Sequence, residues 1–185
     1  MSREMNVNGA NVIKSAARFS LQDHSFSTLS DILGSTLLSK MPQDLIDVVA
    51  YLYTMVKNEG TWDHKPTIQT ILSSGSKFNA FKTGVEKDES YWIKIPNADS
   101  EYVNYDIWSN IHYGYVGKRA GIPDEILNLQ QSYGVDDIGD RISVGLGYQL
   151  YYIYRTGFSE EQFSDFLVEN LDAYRGTDKL VHYED

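Results

Sequence analysis

Residues 135–154 read VDDIGDRISVGLGYQLYYIY, and this stretch decides the expected fold. After Arg141 its apolar side chains occur on nearly every side of a helical projection, which is typical of a helix that lies inside a protein core. The stretch is too short and too polar to cross a bilayer, because a membrane-spanning helix needs about 20 predominantly apolar residues. We therefore predict a central apolar helix around which the rest of the chain packs.

Amphipathic segments occur before and after this helix in the sequence. Pro42 begins a predicted helix with a broad apolar stripe, and Gly60 follows its end. Helical spacing returns over residues 101–120 and again over 159–171, where a serine and two glutamates form an N-terminal capping signal. A short β signal occurs at 91–95. The fold class predicted from these patterns is mostly α, a single compact helical domain with at most a small β hairpin.

Length and composition favour one globular unit. The chain has 185 residues, of which 42% are hydrophobic and 23% are charged, so a sizeable core is expected. We predict an N-terminal helical region at 1–59 that packs with the region at 60–185 as one globular unit. The chain has no cysteine, which excludes disulfides, thiolate metal sites and cysteine nucleophiles. The first 19 residues lack the apolar core of a secretory signal peptide.

Negative charge is concentrated in the last third of the chain. Residues 121–185 hold 13 acidic and four basic residues, whereas residues 1–120 hold 13 acidic and 12 basic ones. Affinity for nucleic acids comes largely from basic groups that neutralise phosphates. The charge distribution therefore weighs against a nucleic-acid-binding protein without excluding one, and it favours a solvated acidic surface.

Two polar clusters lie among aromatic residues. The first is WDHKP at 62–66, and the second is YDIWSNIHYGYVG at 105–117. On a helix, Asp106 and Asn110 share one face, and His112 lies about 120° round from Asp106. A helix with so many polar residues either lines a cleft or holds a hydrogen-bond network, because buried polar groups need partners.

Histidine and carboxylate side chains in these clusters suit acid–base chemistry, since an imidazole titrates near neutral pH. The candidate catalytic residues are His112, Asp106, His64, Asp63 and Lys65. The candidate substrate-binding residues are their aromatic and polar neighbours Trp62, Trp108, Ser109, Asn110 and Tyr113. A divalent metal is compatible with His64, His112 and Asp106, and no other cofactor is predicted. The simpler alternative is that these histidines serve only the fold.

Three aspartates, Asp136, Asp137 and Asp140, precede the apolar part of the central helix. Negative side chains near a helix N-terminus interact favourably with the helix dipole, and Asp137 is spaced to pair with Arg141. We interpret these residues as structural.

Both polar clusters resemble segments of the bacterial polymorphic toxin type 44 domain. The resemblance covers about residues 60–155 and rests on WDHKP at 62–66, YWIKIP at 91–96 and YDIWSNIHYGYVGxxAG at 105–121, followed by aspartates and an apolar helix. The polar positions of that domain map to Asp63, His64, Lys65, Asp106, Ser109, Asn110, His112 and Tyr113. The resemblance implies an antibacterial toxin that is secreted, or delivered into rival cells by a specialised secretion system. Residues 60–185 would then form the toxin domain, and the N-terminal region at 1–59 would have a docking or delivery role. A cognate immunity protein and a secretion-system component or chaperone would be its partners.

Three functions remain open. The first, which we favour, is a hydrolase that uses His/Asp acid–base chemistry on the cell envelope, on peptidoglycan or its lipid-linked precursor. The second is a nuclease: a ribonuclease with His64 and His112 as base and acid and Lys65 on the phosphate, or a metal-dependent DNase. The third is a non-enzymatic adaptor or immunity-type binding protein whose polar clusters are structural networks.

Overall fold

The computed structural model describes residues 1–16, 33–56, 60–73, 80–85, 88–95, 98, 100–132 and 138–182. The helices in these ranges are α1 (Ser2–Ala16), α2 (Ser35–Leu38), α3 (Gln43–Val56), α4 (Lys65–Ser73), α5 (Ile107–Arg119), α6 (Asp124–Ser132), α7 (Ile138–Ile153) and α8 (Glu160–Asn170). The strands are β1 (Ala80–Val85), β2 (Asp88–Lys94), β3 (Glu101–Asn104) and β4 (Leu180–His182). They form one antiparallel sheet in the order β1-β2-β3-β4. The predicted class, mostly α with a small β element, is confirmed.

Helices α5 and α7 cross at the centre of the molecule. Gly114 on α5 lies against the backbone of Val144, and Gly147 on α7 lies against the backbone of Ile111 and Tyr115. Side chains at either glycine would separate the two helices, so the absence of a Cβ permits this close approach. The predicted central apolar helix is therefore α7, packed directly against α5. No helix in the described ranges combines the length and apolarity that a membrane crossing requires.

The N-terminal helix α1 packs against α5, α3 and α8. Met5 and Val12 on α1 are fully buried. The side chain of Asn6 donates a hydrogen bond from Nδ2 to the carbonyl oxygen of Phe158, at 2.8 Å. Helix α1 therefore shares its core with α5, the helix that carries the second polar cluster.

The segment 101–120, predicted as one helix, is a strand followed by a helix. Strand β3 ends at Asn104, whose side chain accepts a hydrogen bond from the backbone N–H of Asp106 at 3.2 Å. This contact turns the chain into α5. The backbone N–H of Asn104 also donates to the carbonyl oxygen of Lys179 at 2.9 Å, so pairing with the β4 segment, distant in sequence, stabilises the strand.

Replacing Gly114 by alanine is expected to destabilise the protein by about 1–3 kcal/mol, the usual cost of overpacking a core. The new Cβ would overlap the carbonyl oxygen of Val144. Chemical denaturation gives the free energy of unfolding. Gly145→Ala, on α7, is the matched control because nothing lies within 4 Å of a Cβ there. That control should be neutral or stabilise by up to about 1 kcal/mol through helix propensity. Equal destabilisation by both substitutions would contradict the close helix contact.

Candidate active site

His64 and His112 form a hydrogen-bonded pair of imidazoles, here called the histidine pair. His64 directly precedes α4, and His112 lies in the middle of α5. Nε2 of His64 is 3.2 Å from Nδ1 of His112, and the ring centroids are 4.8 Å apart. His112 is fully buried, whereas His64 keeps 8% of its surface exposed. His64 is therefore the member of the pair that solvent or a substrate can reach.

Helix α1 contributes two polar side chains to the histidine pair. Nδ2 of Asn8 lies 3.1 Å from Nε2 of His112, and Oε1 of Glu4 lies 3.6 Å from Nε2 of His64. The Glu4 side chain is 46% exposed. Neither residue belongs to a sequence motif, and the only pattern that relates them is the i,i+4 spacing that places both on one helix face.

The segment before α4 is fixed by local contacts. The ring of Trp62 meets the ring of His112 edge-on, with 5.7 Å between centroids. Oδ1 of Asp63 accepts a hydrogen bond from the backbone N–H of Lys65 at 3.3 Å, which stabilises the turn into α4. Trp62, Asp63 and His64 are thus held in place by the backbone and by the neighbouring imidazole.

Burial lowers the pKa of both imidazoles, because desolvation penalises the charged form. The pKa of His112 is lowered to about 3, with the proximity of His64 adding to the effect of burial. The pKa of His64 is also lowered by burial, although the carboxylates of Glu4 and Asp63 oppose the shift. Both imidazoles are therefore mainly neutral at neutral pH.

A second polar group, here called the lysine cluster, consists of Lys179, Asp106, Asp140 and Asn110. Nζ of Lys179, a residue only 5% exposed, is 2.8 Å from Oδ2 of Asp106 and 3.2 Å from Oδ1 of Asp140. Nδ2 of Asn110 donates to Oδ1 of Asp140 at 2.6 Å. The cluster joins the starts of α5 and α7 to the segment before β4. Asp140 is thus part of a buried ion-pair network and does more than interact with the helix dipole.

A buried pair of hydroxyls lies close to the lysine cluster. Oγ of Ser143 and the hydroxyl oxygen of Tyr174 are 2.8 Å apart. Burial raises the pKa of Tyr174, and the negative charges of Asp106 and Asp140 raise it further. Tyr174 therefore remains protonated and available as a hydrogen-bond donor.

Tyr105 connects the surroundings of the histidine pair with the lysine cluster. Its hydroxyl oxygen accepts a hydrogen bond from Nε2 of Gln69, on α4, at 2.7 Å. Burial raises the pKa of Tyr105, and the carboxylates of Asp106 and Asp63 add to that shift. Asp63 and Asp106 thus lie within electrostatic reach of one tyrosine, although Asp106 pairs with lysine and not with histidine.

Two side-chain oxygens at the start of α5 lack hydrogen-bond partners within the described ranges. They are Oδ1 of Asp106 and Oγ of Ser109, both inaccessible to solvent. Buried polar atoms normally find partners. Within the described ranges these two oxygens therefore have hydrogen-bonding capacity that the protein interior does not use.

The remaining candidates from the second sequence cluster face the core. Trp108 packs its ring edge-on against Phe163, with 5.7 Å between centroids. The hydroxyl of Tyr113 donates to the carbonyl oxygen of Leu127 at 3.4 Å. The structure thus brings His64, His112 and Trp62 together, and places Asp106 and Asn110 in the lysine cluster.

Metal ligation was one hypothesis for these residues. In the part of the chain that the structure describes, no group of three or more His, Asp or Glu side chains is arranged to hold a metal ion. His64, His112 and Asp106 accordingly do not converge on one point. Asp136 and Asp137 lie outside the described residues.

Comparison with known protein families places this helical domain among the bacterial toxins. The family model described as bacterial toxin 44 matches residues 51–152, more than half of the chain, and the chain belongs to that family. The resemblance to the polymorphic toxin type 44 domain is thereby confirmed. The matched region includes both histidines but neither α1 nor Lys179. Comparisons with curated proteins and with solved structures gave no match.

Acid is expected to destabilise the protein through His112. Its pKa is about 3 in the folded state and about 6.5 in the unfolded state. The unfolded chain therefore binds a proton that the folded protein excludes. The stabilisation is complete above about pH 6.5 and is lost as the pH falls towards 3, with a slope approaching about 1.4 kcal/mol per pH unit.

The measurement is the free energy of unfolding of wild type and His112→Gln between about pH 7 and pH 4. The advantage of wild type over His112→Gln should shrink as the pH falls. Ile111→Val removes a methylene group from the neighbouring buried residue, which does not titrate, so its effect should not depend on pH. A constant difference between wild type and His112→Gln would contradict the lowered pKa.

Removing the buried ammonium of Lys179 should leave two carboxylates without a shared counter-charge. Lys179→Met is expected to reduce the free energy of unfolding by about 3–5 kcal/mol, as for other broken buried ion pairs. Arg175→Met is the control, since Arg175 pairs with Asp172 on the exposed surface and such pairs contribute little. Similar losses in both variants would show that the lysine cluster is no stronger than a surface pair.

Proposed function

We propose that this toxin domain is a hydrolase of the bacterial cell envelope, acting on peptidoglycan or its lipid-linked precursor. The observation that carries the proposal is the histidine pair, in which a neutral, slightly exposed His64 contacts the fully buried His112. Carboxylates lie next to it, with Glu4 at 3.6 Å. A neutral imidazole beside carboxylates is a common arrangement for moving protons during hydrolysis.

The charge at the site favours a substrate without a phosphate backbone. Beside the histidine pair, the carboxylates of Glu4 and Asp63 and the N-terminal ammonium all act on His64. In the lysine cluster two carboxylates share one ammonium. RNA or DNA would meet the excess carboxylate of the lysine cluster, whereas binding of nucleic acids normally depends on basic groups. Neutral sugars and peptide bonds experience no such repulsion.

The protonation of the histidine pair also favours this proposal over a ribonuclease. A mechanism that uses two histidines needs one imidazole charged as the acid and one neutral as the base. Burial lowers the pKa of both His64 and His112, so the charged form is scarce at neutral pH. His112 is also fully buried and out of reach of a bulky phosphodiester.

In the proposed reaction, His64 contacts the substrate and His112 orients His64 from the protein interior. Glu4 and Asp63 are the carboxylates that exchange a proton with the attacking water or the leaving group. Trp62, half-buried beside His112, is suited to stacking against a sugar ring. We assign Asp106 an orienting role because its ion pair with Lys179, at 2.8 Å, holds the start of α5, the helix that carries His112.

Membership of a toxin family supports an immunity protein as partner and action after delivery into a target cell. We further propose that α1 belongs to the toxin unit itself and is not a separate docking region. Its residues Glu4 and Asn8 contact the histidine pair, and Met5 lies in the common core.

Expression with a periplasmic targeting signal is expected to lyse a bacterial host, whereas cytoplasmic expression should be tolerated. His64→Gln should abolish lysis, because loss of an acid–base group typically slows a reaction about 10²–10⁴-fold. Arg175→Gln, on the exposed surface, is the matched control and should retain full toxicity. Circular dichroism of each variant separates loss of activity from loss of folding.

Purified protein provides the direct assay of the substrate. Isolated peptidoglycan or lipid-linked precursor should release soluble fragments, and total RNA should remain intact. Killing that occurs only from the cytoplasm, together with RNA cleavage that His112→Gln abolishes, would establish a nuclease instead. Loss of folding in both histidine variants, with no activity of wild type on either substrate, would favour a non-enzymatic binding protein.

A further inference from the structure

The side-chain amide of Asn8 is placed to control where the histidine pair carries its protons. Its Nδ2, which can only donate hydrogen bonds, lies 3.1 Å from Nε2 of His112. The contact is directed at an imidazole that is fully buried, where an unmatched donor or acceptor is costly. Nε2 of His112 must therefore accept.

A neutral imidazole has one nitrogen that donates and one that accepts. If Nε2 of His112 accepts from Asn8, then Nδ1 of His112 carries the proton. That N–H points at Nε2 of His64, 3.2 Å away, so Nε2 of His64 accepts and its proton resides on Nδ1. We propose that Asn8 is a positioning residue that fixes both imidazoles of the histidine pair as their Nδ1–H tautomers.

Glu4 favours the opposite arrangement, because a carboxylate only accepts and would prefer a proton on Nε2 of His64. Its oxygen is 3.6 Å from that nitrogen, beyond hydrogen-bond distance, and its side chain is 46% exposed. Solvent weakens interactions with such a carboxylate. The shorter contact of Asn8, directed at a buried ring, therefore decides the tautomer.

The tautomer determines what His64 offers to a substrate, an inference that rests on the proposed function. With its proton on Nδ1, His64 carries its N–H donor on the nitrogen that does not face His112. A neutral donor of this kind stabilises negative charge that develops on a substrate oxygen. The proton acceptor of the reaction is then a carboxylate, and Glu4 is the one that lies beside the pair and is open to solvent.

Nitrogen NMR of the full chain labelled with ¹⁵N-histidine tests the tautomer without reference to activity. The coupling pattern between ring nitrogens and ring protons distinguishes Nδ1–H from Nε2–H imidazoles. The signals are assigned by their disappearance in His64→Gln and His112→Gln. We expect Nδ1–H patterns for both residues at neutral pH. An Nε2–H pattern for His112 in wild type would overturn the proposal.

Substitution of Asn8 tests the cause. In Asn8→Asp the new carboxylate accepts in place of donating, so the proton of His112 should shift to Nε2. In Asn8→Leu the new side chain neither donates nor accepts a hydrogen bond, so His112 should be a mixture of both tautomers. This variant replaces Asn8→Asp in the experiment if Asn8→Asp does not fold. Asn11→Asp is the matched control, because Asn11 lies on the exposed face of α1 and bonds only locally, to the carbonyl oxygen of Val7. An Nδ1–H pattern unchanged in Asn8→Asp or Asn8→Leu would overturn the role of Asn8.

Toxicity assays separate this inference from the proposed function. Asn8→Asp should lose toxicity and Asn11→Asp should keep it, if the tautomer and the envelope hydrolase are both correct. In Asn8→Asp the proton of His112 could move to Nε2 while toxicity stays unchanged. That result would support the assigned tautomers and contradict a role of His64 in catalysis. Retained toxicity in His64→Gln would reject the proposed function alone.

Discussion

The backbone contact between α5 and α7 determines where the polar groups of this toxin domain lie. Gly114 and Gly147 let the two helices touch without intervening side chains, which fixes the rotation of α5 about its own axis. One side of α5 then presents Asn110 to Asp140, while another presents His112 to α1 and to the segment before α4. A wider helix crossing would move Asp140 out of hydrogen-bond distance of Asn110.

The two polar groups differ in how the fold balances their cost of burial. The histidine pair is kept neutral, because burial lowers both pKa values and each facing nitrogen has a polar partner. In the lysine cluster charge is compensated by charge, with Lys179 between Asp106 and Asp140. The first solution keeps an imidazole ready to exchange hydrogen bonds, and the second rigidifies the helix ends. Helix α5 thus lies between a neutral polar group and a charge-compensated one.

The sequence was most informative where one segment contains its own pattern. Helix α7 is apolar on nearly every side, and α8 begins with a capping box of Ser159 and Gln162. Both are local features of the sequence, so both helices were predictable. The strand Glu101–Asn104 was not, because it is stabilised by pairing with the distant β4. His64 and His112 could be selected as candidates by residue type, yet their contact joins segments that no periodicity relates. Asn8, Glu4 and Lys179 carry no motif, and only tertiary structure reveals their partners.

The position of Lys179 in the sequence also determines when the lysine cluster can form during synthesis of the chain. The aspartates at the starts of α5 and α7 leave the ribosome well before the lysine that neutralises them. Until residue 179 emerges, folding of these helices would bury two like charges together, which low-dielectric surroundings oppose. Strand β4 follows Lys179 directly, so one short segment near residue 180 both completes the sheet and supplies the counter-charge. A chain that ends before residue 179 lacks both contributions.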